Sequence, residues 1–578
     1  MKRFSPQLIA YLAIFLLCLS WLIFYQRLPA LTEDTHCYTG LAQSLRVNGT
    51  YVFNFVPHTI YPPGFPVLLA GLSWLAGSLP LDSYPLFMRF IGFATALCIL
   101  MGYILVRRHT SPWWGLAYVL LVGFSSSVVI ASTRFIGSDV PYTLTSLAAV
   151  LLFEFVPSPP PERPGAKLIA IYVLLALLLP ASLSIRAIGR AMLLALALQL
   201  MVSSIRTRRW PSLALVAVLL LGATEQAAWS FWAKAHTPRL APGEYNYSYE
   251  SDIWKKDPHH PDLGTATLVD LAVRPVVRMA QESSHFAQCF NGNRWITPLP
   301  YSMLVAVPAV LVITGWCCAI LAPGAGFMPY YFLTYMGILL VWPFDQGIRY
   351  IFPVLPLFFI YAWTGWRHIR QWSADCPRKV RLGVIVLSGV MLVGGGLHHA
   401  LVRSGGKQAL FSVLLWGVCL ALAARIPQWL GSLPARAAWV AVVYVGIVFA
   451  SEMPTFVAME RENITLREAD REHYPTLEVS RWLMQNSDPG SVIMTWDPWM
   501  VHAESGRRTV LFPPTANVNQ ILQVARSTSS SYLVILQDIW YEPSQQERLD
   551  LIQKAHPEVL TPVVLNKDFR VFRIHLNP

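Results

Sequence analysis

Stretches of apolar side chains long enough to cross a bilayer recur along most of this chain, and they restrict it to a bundle of helices in lipid. The first, residues 7–25 (QLIAYLAIFLLCLSWLIFY), has the length a helix needs to traverse about 30 Å of hydrocarbon. Further runs occur near 86–106, 113–133, 139–156, 167–184, 188–204, 211–232, 301–322, 327–343, 350–366, 382–397, 410–424 and 436–452. In lipid every backbone N–H and C=O must be satisfied internally, which a helix does within one segment. The expectation is an all-α polytopic membrane domain of about thirteen transmembrane helices. Only 13% of residues are charged and 54% are apolar, against about 25% charged in soluble proteins. Soluble enzymes, disordered regulators and secreted disulfide scaffolds are thereby excluded. The first run is too long for a signal peptide and ends in Gln26-Arg27, so it reads as an uncleaved span.

Charge sets the orientation. Lys2 and Arg3 precede the first span, which keeps the amino terminus in the cytoplasm. Threading the chain alternately puts Arg107, Arg108, Arg163, Lys167, Arg206, Arg208, Arg209, Arg367, Arg370 and Arg378 on that same side; Arg403 and Lys407 are exceptions. The net charge of +12 is explained by these loops, and no nucleic-acid partner is expected. An odd number of spans leaves the carboxyl terminus outside. The apolar stretch 64–80 would reverse every later loop if it crossed, so it reads as a helix in the outer interface.

Two domains follow: 1–452 in the membrane, with long outer loops at 30–85 and 233–300, and 453–578 as an extracytoplasmic α/β domain. The latter holds 12 Lys and Arg against 15 Asp and Glu, so the basic excess belongs to the membrane part. Its helix-period stretches (476–486, 518–526, 544–555) alternate with β-rich runs at 491–495, 509–512, 532–537, 560–565 and 570–575. Asn566-Lys567-Asp568 reads as a hairpin turn.

The unusual residues lie outside. The first loop runs Leu31-Thr-Glu-Asp-Thr-His-Cys-Tyr38, then Gly49-Thr-Tyr51 and Ile60-Tyr-Pro-Pro-Gly-Phe-Pro66. A carboxylate at Glu33 or Asp34, just past the first span, can be desolvated and serve as a base, or can cap a following helix at 42–47. Arg134, Arg186, Arg190 and Arg349 stand near outer span ends, where they either snorkel to headgroups or hold an anion. Asp139 is a candidate N-cap, donor-orienting group or metal ligand. In the second loop Arg274 and Arg278 could bind phosphate, His259 and His260 could ligate metal, and Tyr245, Tyr247 and Tyr249 suit an interfacial belt or could stack on a sugar. Cys37 and Cys289 fall in the two outer loops and could pair in an oxidising compartment. There is no Walker or dinucleotide motif, so no nucleotide cofactor is expected.

An acid four residues before a Tyr after the first span, then Gly-Thr-Tyr and Tyr-Pro-Pro-Gly-Phe-Pro, resembles the first external loop of GT-C glycosyltransferases. Closest in kind are protein O-mannosyltransferases and the bacterial enzymes that add aminoarabinose to lipid A. Ser138-Asp139-Val-Pro141, Ser184-Ile-Arg186-Ala-Ile-Gly189 and Arg349-Tyr350-Ile-Phe-Pro353-Val-Leu-Pro356 resemble later family stretches in the same order. The resemblance implies an inner-membrane enzyme that takes a sugar from polyprenyl phosphate, undecaprenyl phosphate in a bacterium, and places it on an extracytoplasmic acceptor with inversion. It makes Asp34 the catalytic base and Glu33 its bystander. Arg349, Tyr350 and Arg186 become donor-phosphate contacts, with a divalent metal at Asp139 as an alternative. Tyr38 and Tyr61 would shape the cavity. Tyr61-Pro62-Pro63-Gly64 stands where lipid A enzymes tend to carry Glu-Lys before Pro, and Cys37 where they carry Arg, which counts against aminoarabinose as donor. A transporter or lipid flippase places ionisable groups near the bilayer midplane, and a non-catalytic assembly subunit could keep the fold.

Overall fold

The apolar run at the amino terminus folds as α1 (Pro6–Ile23), with Pro6 in the first turn, where its missing N–H removes no intrahelical bond. The computed structural model describes residues 5–27, 32–157, 165–208, 210–242, 244, 248–258, 263–291, 301–344, 347–375, 436–465, 474–536 and 544–576. Polar loop 1 supplies α2 (Glu33–Asn48), the two-residue strands β1 (Val52–Phe53) and β2 (Val56–Pro57), and α3 (Gly64–Leu75). At 12 residues, α3 rises only about 18 Å and is too short to cross. It leaves Val67, Trp74 and Leu75 exposed.

The bundle continues with α4 (Tyr84–His109), α5 (Pro112–Gly123), α6 (Ser126–Thr133), α7 (Asp139–Phe153), α8 (Ala166–Ile185), α9 (Arg190–Thr207) and α10 (Leu213–His236). Helices Tyr301–Leu321, Phe327–Val341, Leu355–Asp375 and Arg436–Thr465 follow. Every expected span falls on these elements except 382–397 and 410–424, which lie outside the described residues. Among the described residues, five helices are long and apolar enough to cross a membrane, or six if α5 and α6, bent by 63°, form one span. Helix α7 and Phe327–Val341 have 15 residues each and rise about 22 Å, so they fall short of that length among the described residues. Arg107, Arg108 and His109 end α4, and His109 Nε2 lies 2.7 Å from Glu154 Oε2 beyond α7, so these charges share one end of the bundle.

At the other end sits the tail. Helix Arg436–Thr465 runs past position 453, and the α/β elements begin at Pro475. Five strands form one mixed sheet in the order β4-β3-β5-β7-β6: β3 (Val492–Thr495), β4 (Arg508–Leu511), β5 (Ser530–Leu536), β6 (Leu560–Leu565) and β7 (Phe569–Ile574). β3 pairs in parallel with β4 and β5, and β7 pairs antiparallel with β5 and β6. Apolar clusters form on both sheet faces, one around Ile521, Leu533 and Ile535, the other around Val479, Val534 and Val571. The β6–β7 turn closes through Asn566, whose Oδ1 accepts from the backbone of Asp568 (2.9 Å) and Phe569 (2.6 Å).

The tail docks on loop 1. Asn54 Nδ2 donates to Thr509 O (2.8 Å) and Oδ1 accepts from Thr509 N (2.9 Å), a mimic of strand pairing at β4. His36 Nε2 meets Glu504 Oε1 at 2.7 Å. Trp499 packs edge-on against His58 and Tyr61.

Candidate active site

Local sequence decides where the first-loop acids stand. Thr32 is extended and its Oγ1 accepts from Thr35 N, so α2 begins at Glu33. The helix thus starts well before the expected 42–47, and Glu33 and Asp34 occupy its first turn, where backbone N–H groups favour a carboxylate. Thr32, not either acid, caps the helix, which leaves Glu33 and Asp34 free for the site. Asp34 and Tyr38, four apart, share a face of α2. Thr35 locks this turn to the α6–α7 corner by accepting from Ile136 N (3.1 Å).

Both oxygens of Asp34 are engaged. Tyr61 donates its hydroxyl to Oδ1 (2.9 Å), and Arg349 Nη2 donates to Oδ2 (3.1 Å). Tyr61 is held by stacking on Tyr38 at 4.8 Å, while the Tyr51 hydroxyl donates to Tyr61 O (3.0 Å). The next residues of the motif explain its glycine. A Cβ on Gly64 would lie 2.6–2.7 Å from Ser184, so only glycine lets α3 start against the end of α8.

That corner carries the second ion pair. Arg186 is extended (φ −152°, ψ 135°) between α8 and the following turn, and its Nη1 lies 2.6 Å from Asp139 Oδ1. The same nitrogen donates to Ser138 Oγ (3.0 Å), which is 2.9 Å from the Tyr38 hydroxyl. Tyr350 joins the pairs: the guanidinium carbons of Arg186 and Arg349 lie 5.0 and 5.7 Å from its ring centroid. Tyr335 fixes Tyr350 by donating to its carbonyl (2.6 Å). Two guanidinium groups thus converge on one ring, each tied to a carboxylate and each able to exchange it for another anion.

Glu33 projects on the side toward the tail. Its side chain is exposed to water. Desolvation by the surrounding protein raises its pKa well above the usual carboxyl range, helped by the carboxylates of Asp497 and Asp34. Burial also pushes the Tyr61 and Tyr38 phenols up, Asp34 adding to both, so they remain hydroxyl donors.

Asp34, Arg349, Tyr61, Tyr38, Ser138, Asp139, Arg186 and Tyr350 therefore assemble from five separate stretches. Other candidate residues stand outside this cluster or have other partners. Asp139 does not fit a metal: its Oδ1 takes a guanidinium, and among the described residues no three His, Cys, Asp or Glu converge to hold an ion. Arg134 pairs with Glu462 (2.8 Å), and Arg190 Nε donates to Gln226 (3.1 Å). Arg274 binds the carbonyls of Ile253 and Lys255 (2.6 Å each), and Arg278 pairs with Glu282 in its own helix (3.2 Å) and donates to Phe344 O (2.5 Å), so both tie down loop 2. Cys37 is a buried free thiol, 3.9 Å from His58 Nε2, and not half of a disulfide. Tyr245, Tyr247, His259 and His260 lie outside the described residues. Tyr249, expected in an interfacial belt, is instead close enough to Tyr350, Arg186 and Asp34 to feel their charges. Asp497 and Trp499 went unnoticed, although Asp497-Pro498 is a readable helix start; Asp497 Oδ1 accepts from Met500 N (3.1 Å).

No protein-family model and no curated protein sequence matches the chain. Solved structures do. The crystal structure of ArnT from Cupriavidus metallidurans bound to undecaprenyl phosphate superposes over 97% of each chain with TM-score 0.51 at 12% identity. The chain has the GT-C fold. Two other GT-C structures align more loosely. The archaeal oligosaccharyltransferase AglB from Archaeoglobus fulgidus covers 91% of this chain and 69% of its own (TM-score 0.45, 11% identity). The Saccharomyces cerevisiae protein O-mannosyltransferase Pmt1–Pmt2 complex covers 46% and 38% (0.30, 13%). In this GT-C chain the carboxylate–arginine pairs gather at the bundle end that the tail covers, away from Arg107 and Arg108.

Proposed function

We propose that this GT-C chain is a membrane glycosyltransferase that moves a sugar from a polyprenyl phosphate to a hydroxyl on the outer side of the membrane. The observation that carries the reading is the Asp34–Arg349 pair at the edge of a second pair, Asp139–Arg186. A lipid-linked sugar needs cations for its departing phosphate, and its acceptor needs a base. Undecaprenyl phosphate, the ligand of the similarly folded ArnT, is the donor lipid this reading favours.

The pieces then act in order. The donor phosphate draws the Arg349 guanidinium from Asp34 and is held between it and Arg186, releasing Asp34 Oδ2. Tyr61 keeps hold of Oδ1 and fixes the carboxylate plane. The acceptor oxygen attacks the anomeric carbon while its proton passes to Asp34; the carbon–oxygen bond to phosphate breaks, and the phosphate leaves with the electron pair on its oxygen. Attack opposite the leaving group inverts the anomeric centre, and charge on the phosphate is stabilised by two prepositioned guanidiniums.

On this reading the membrane domain ends with helix Arg436–Thr465, the amino terminus is in the cytoplasm, and the α/β domain from Pro475 lies on the periplasmic side. The test uses purified full-length protein in proteoliposomes with polyprenyl-phosphate-linked radiolabelled sugars and an envelope-lipid acceptor fraction. Label should move covalently to the acceptor, and Asp34→Asn should lower the rate by about a thousandfold. Label that crosses the bilayer still attached to its lipid would indicate a flippase and defeat the reading.

A further inference from the structure

A cavity of about 630 Å³, separate from the carboxylate–arginine cluster, lies between α2, the β1–β2 hairpin and the tail. This volume falls in the range of small-molecule sites. It uses the opposite face of α2: Asp34 and Tyr38 point one way, whereas His36, Gln43 and Ser44 line the cavity. The tail closes it with Arg481, His502 and Glu504.

The hairpin wall is built at a cost. Gly40, in mid-helix, has no side chain, and a Cβ there would sit 2.5 Å from the Phe53 ring, so the glycine lets the hairpin lie flat on α2. The two-residue turn then holds Asn54 and Phe55 in the left-handed region (φ 54° and 64°). Asparagine tolerates that conformation, but a bulky aromatic residue does not. Phe55 is also 65% exposed, its ring 5.3 Å from His502 across the cavity rim. Strain spent to keep an aromatic face in water is a mark of function and not of stability. Elsewhere the cavity lining carries hydroxyl, amide, imidazole and guanidinium groups, a composition that suits a sugar ring with its apolar C–H face on the aromatic ring and its hydroxyls on the polar walls.

We infer that this cavity is a saccharide-binding site that holds the part of an acceptor glycan remote from the reacting hydroxyl. The inference rests on the glycosyltransferase reading for the source of the sugar, but not for the binding itself. Fluorescently labelled full-length protein in detergent, applied to an array of neutral and acidic oligosaccharides, tests it without any transfer step. Wild type should be retained on a subset of glycans. Phe55→Gly should bind at least about tenfold more weakly, as expected for removal of a central aromatic contact, while its unfolding temperature is unchanged or higher, because glycine accepts φ 64°. Arg481→Ala, at the exposed opposite wall, should also weaken binding, and Asp34→Asn should leave it unchanged. Retention of no glycan, or equal retention of wild type and both cavity variants, overturns the site. Loss of binding in Asp34→Asn overturns it too, since the sugar would then sit at the transfer centre. If label transfer succeeds while the array is blank, the cavity proposal alone falls; if the array binds and transfer fails, the enzyme reading falls and the binding site stands, its sugar then coming from another source.

Discussion

Asp34 and Arg349 neutralise each other at 3.1 Å, and their side chains keep 21% and 27% exposure, so the pair is reachable by a ligand. On the proposed function, an incoming phosphate would compete with Asp34 for the same guanidinium. Removing the Asp34 charge should therefore help a phosphate bind even as it stops catalysis. Native mass spectrometry of the protein with undecaprenyl phosphate should show Asp34→Asn binding about threefold to tenfold more tightly than wild type. Arg349→Ala should bind about tenfold or more weakly, the loss of one charge-assisted contact. If Asp34→Asn bound the lipid more weakly than wild type, the competition would be disproved.

The element that couples the parts is loop 1 with the tail helix Pro498–Ser505. Asn54 makes two hydrogen bonds to Thr509, each worth about 1 kcal/mol. Asn54→Ala should loosen the tail, seen as faster amide exchange in β4 than in β5. His58, buried beneath Trp499, has its imidazole pKa lowered to about 3 by burial. The folded state therefore prefers neutral His58, and its contribution to stability is complete above about 6.5 and is lost as the pH falls toward 3. His58→Asn should flatten the fall of the unfolding temperature across that window. At this scale much was legible in the sequence. β6 begins and ends where alternation and turn residues place it, and Asn566 closes the turn as expected. The start of α2 was missed because Glu33 to Tyr38 is polar and lacks apolar periodicity, although Thr32 before two acids is a cap signal. Helix Pro498–Ser505 was missed for its brevity. Asp34, Arg349, Arg186 and Tyr350 were nameable as site residues; that Arg349 holds Asp34 was not, because the two are 315 positions apart and only packing brings them together. Trp499 on Tyr61 is another such contact, as is Glu504 on His36.

Across the whole molecule, charge and chemistry separate to opposite ends. Arg107, Arg108, His109 and Glu154 cluster at one end, while α2, the ion-pair cluster and the tail share the other. In this topology a cysteine at Lys554, exposed on the tail, should react with a membrane-impermeant maleimide in intact spheroplasts. A cysteine at Thr207, exposed at the end of α9, should react only after the membrane is opened. Reversed labelling would invert the orientation and put the cluster in the cytoplasm. The most direct check of the central claim is an electron-microscopy structure of the protein with undecaprenyl phosphate. The account requires the phosphate between Arg349 and Arg186, with Asp34 Oδ2 released and Tyr61 still on Oδ1. A phosphate bound elsewhere, with the Asp34–Arg349 contact intact, would contradict it.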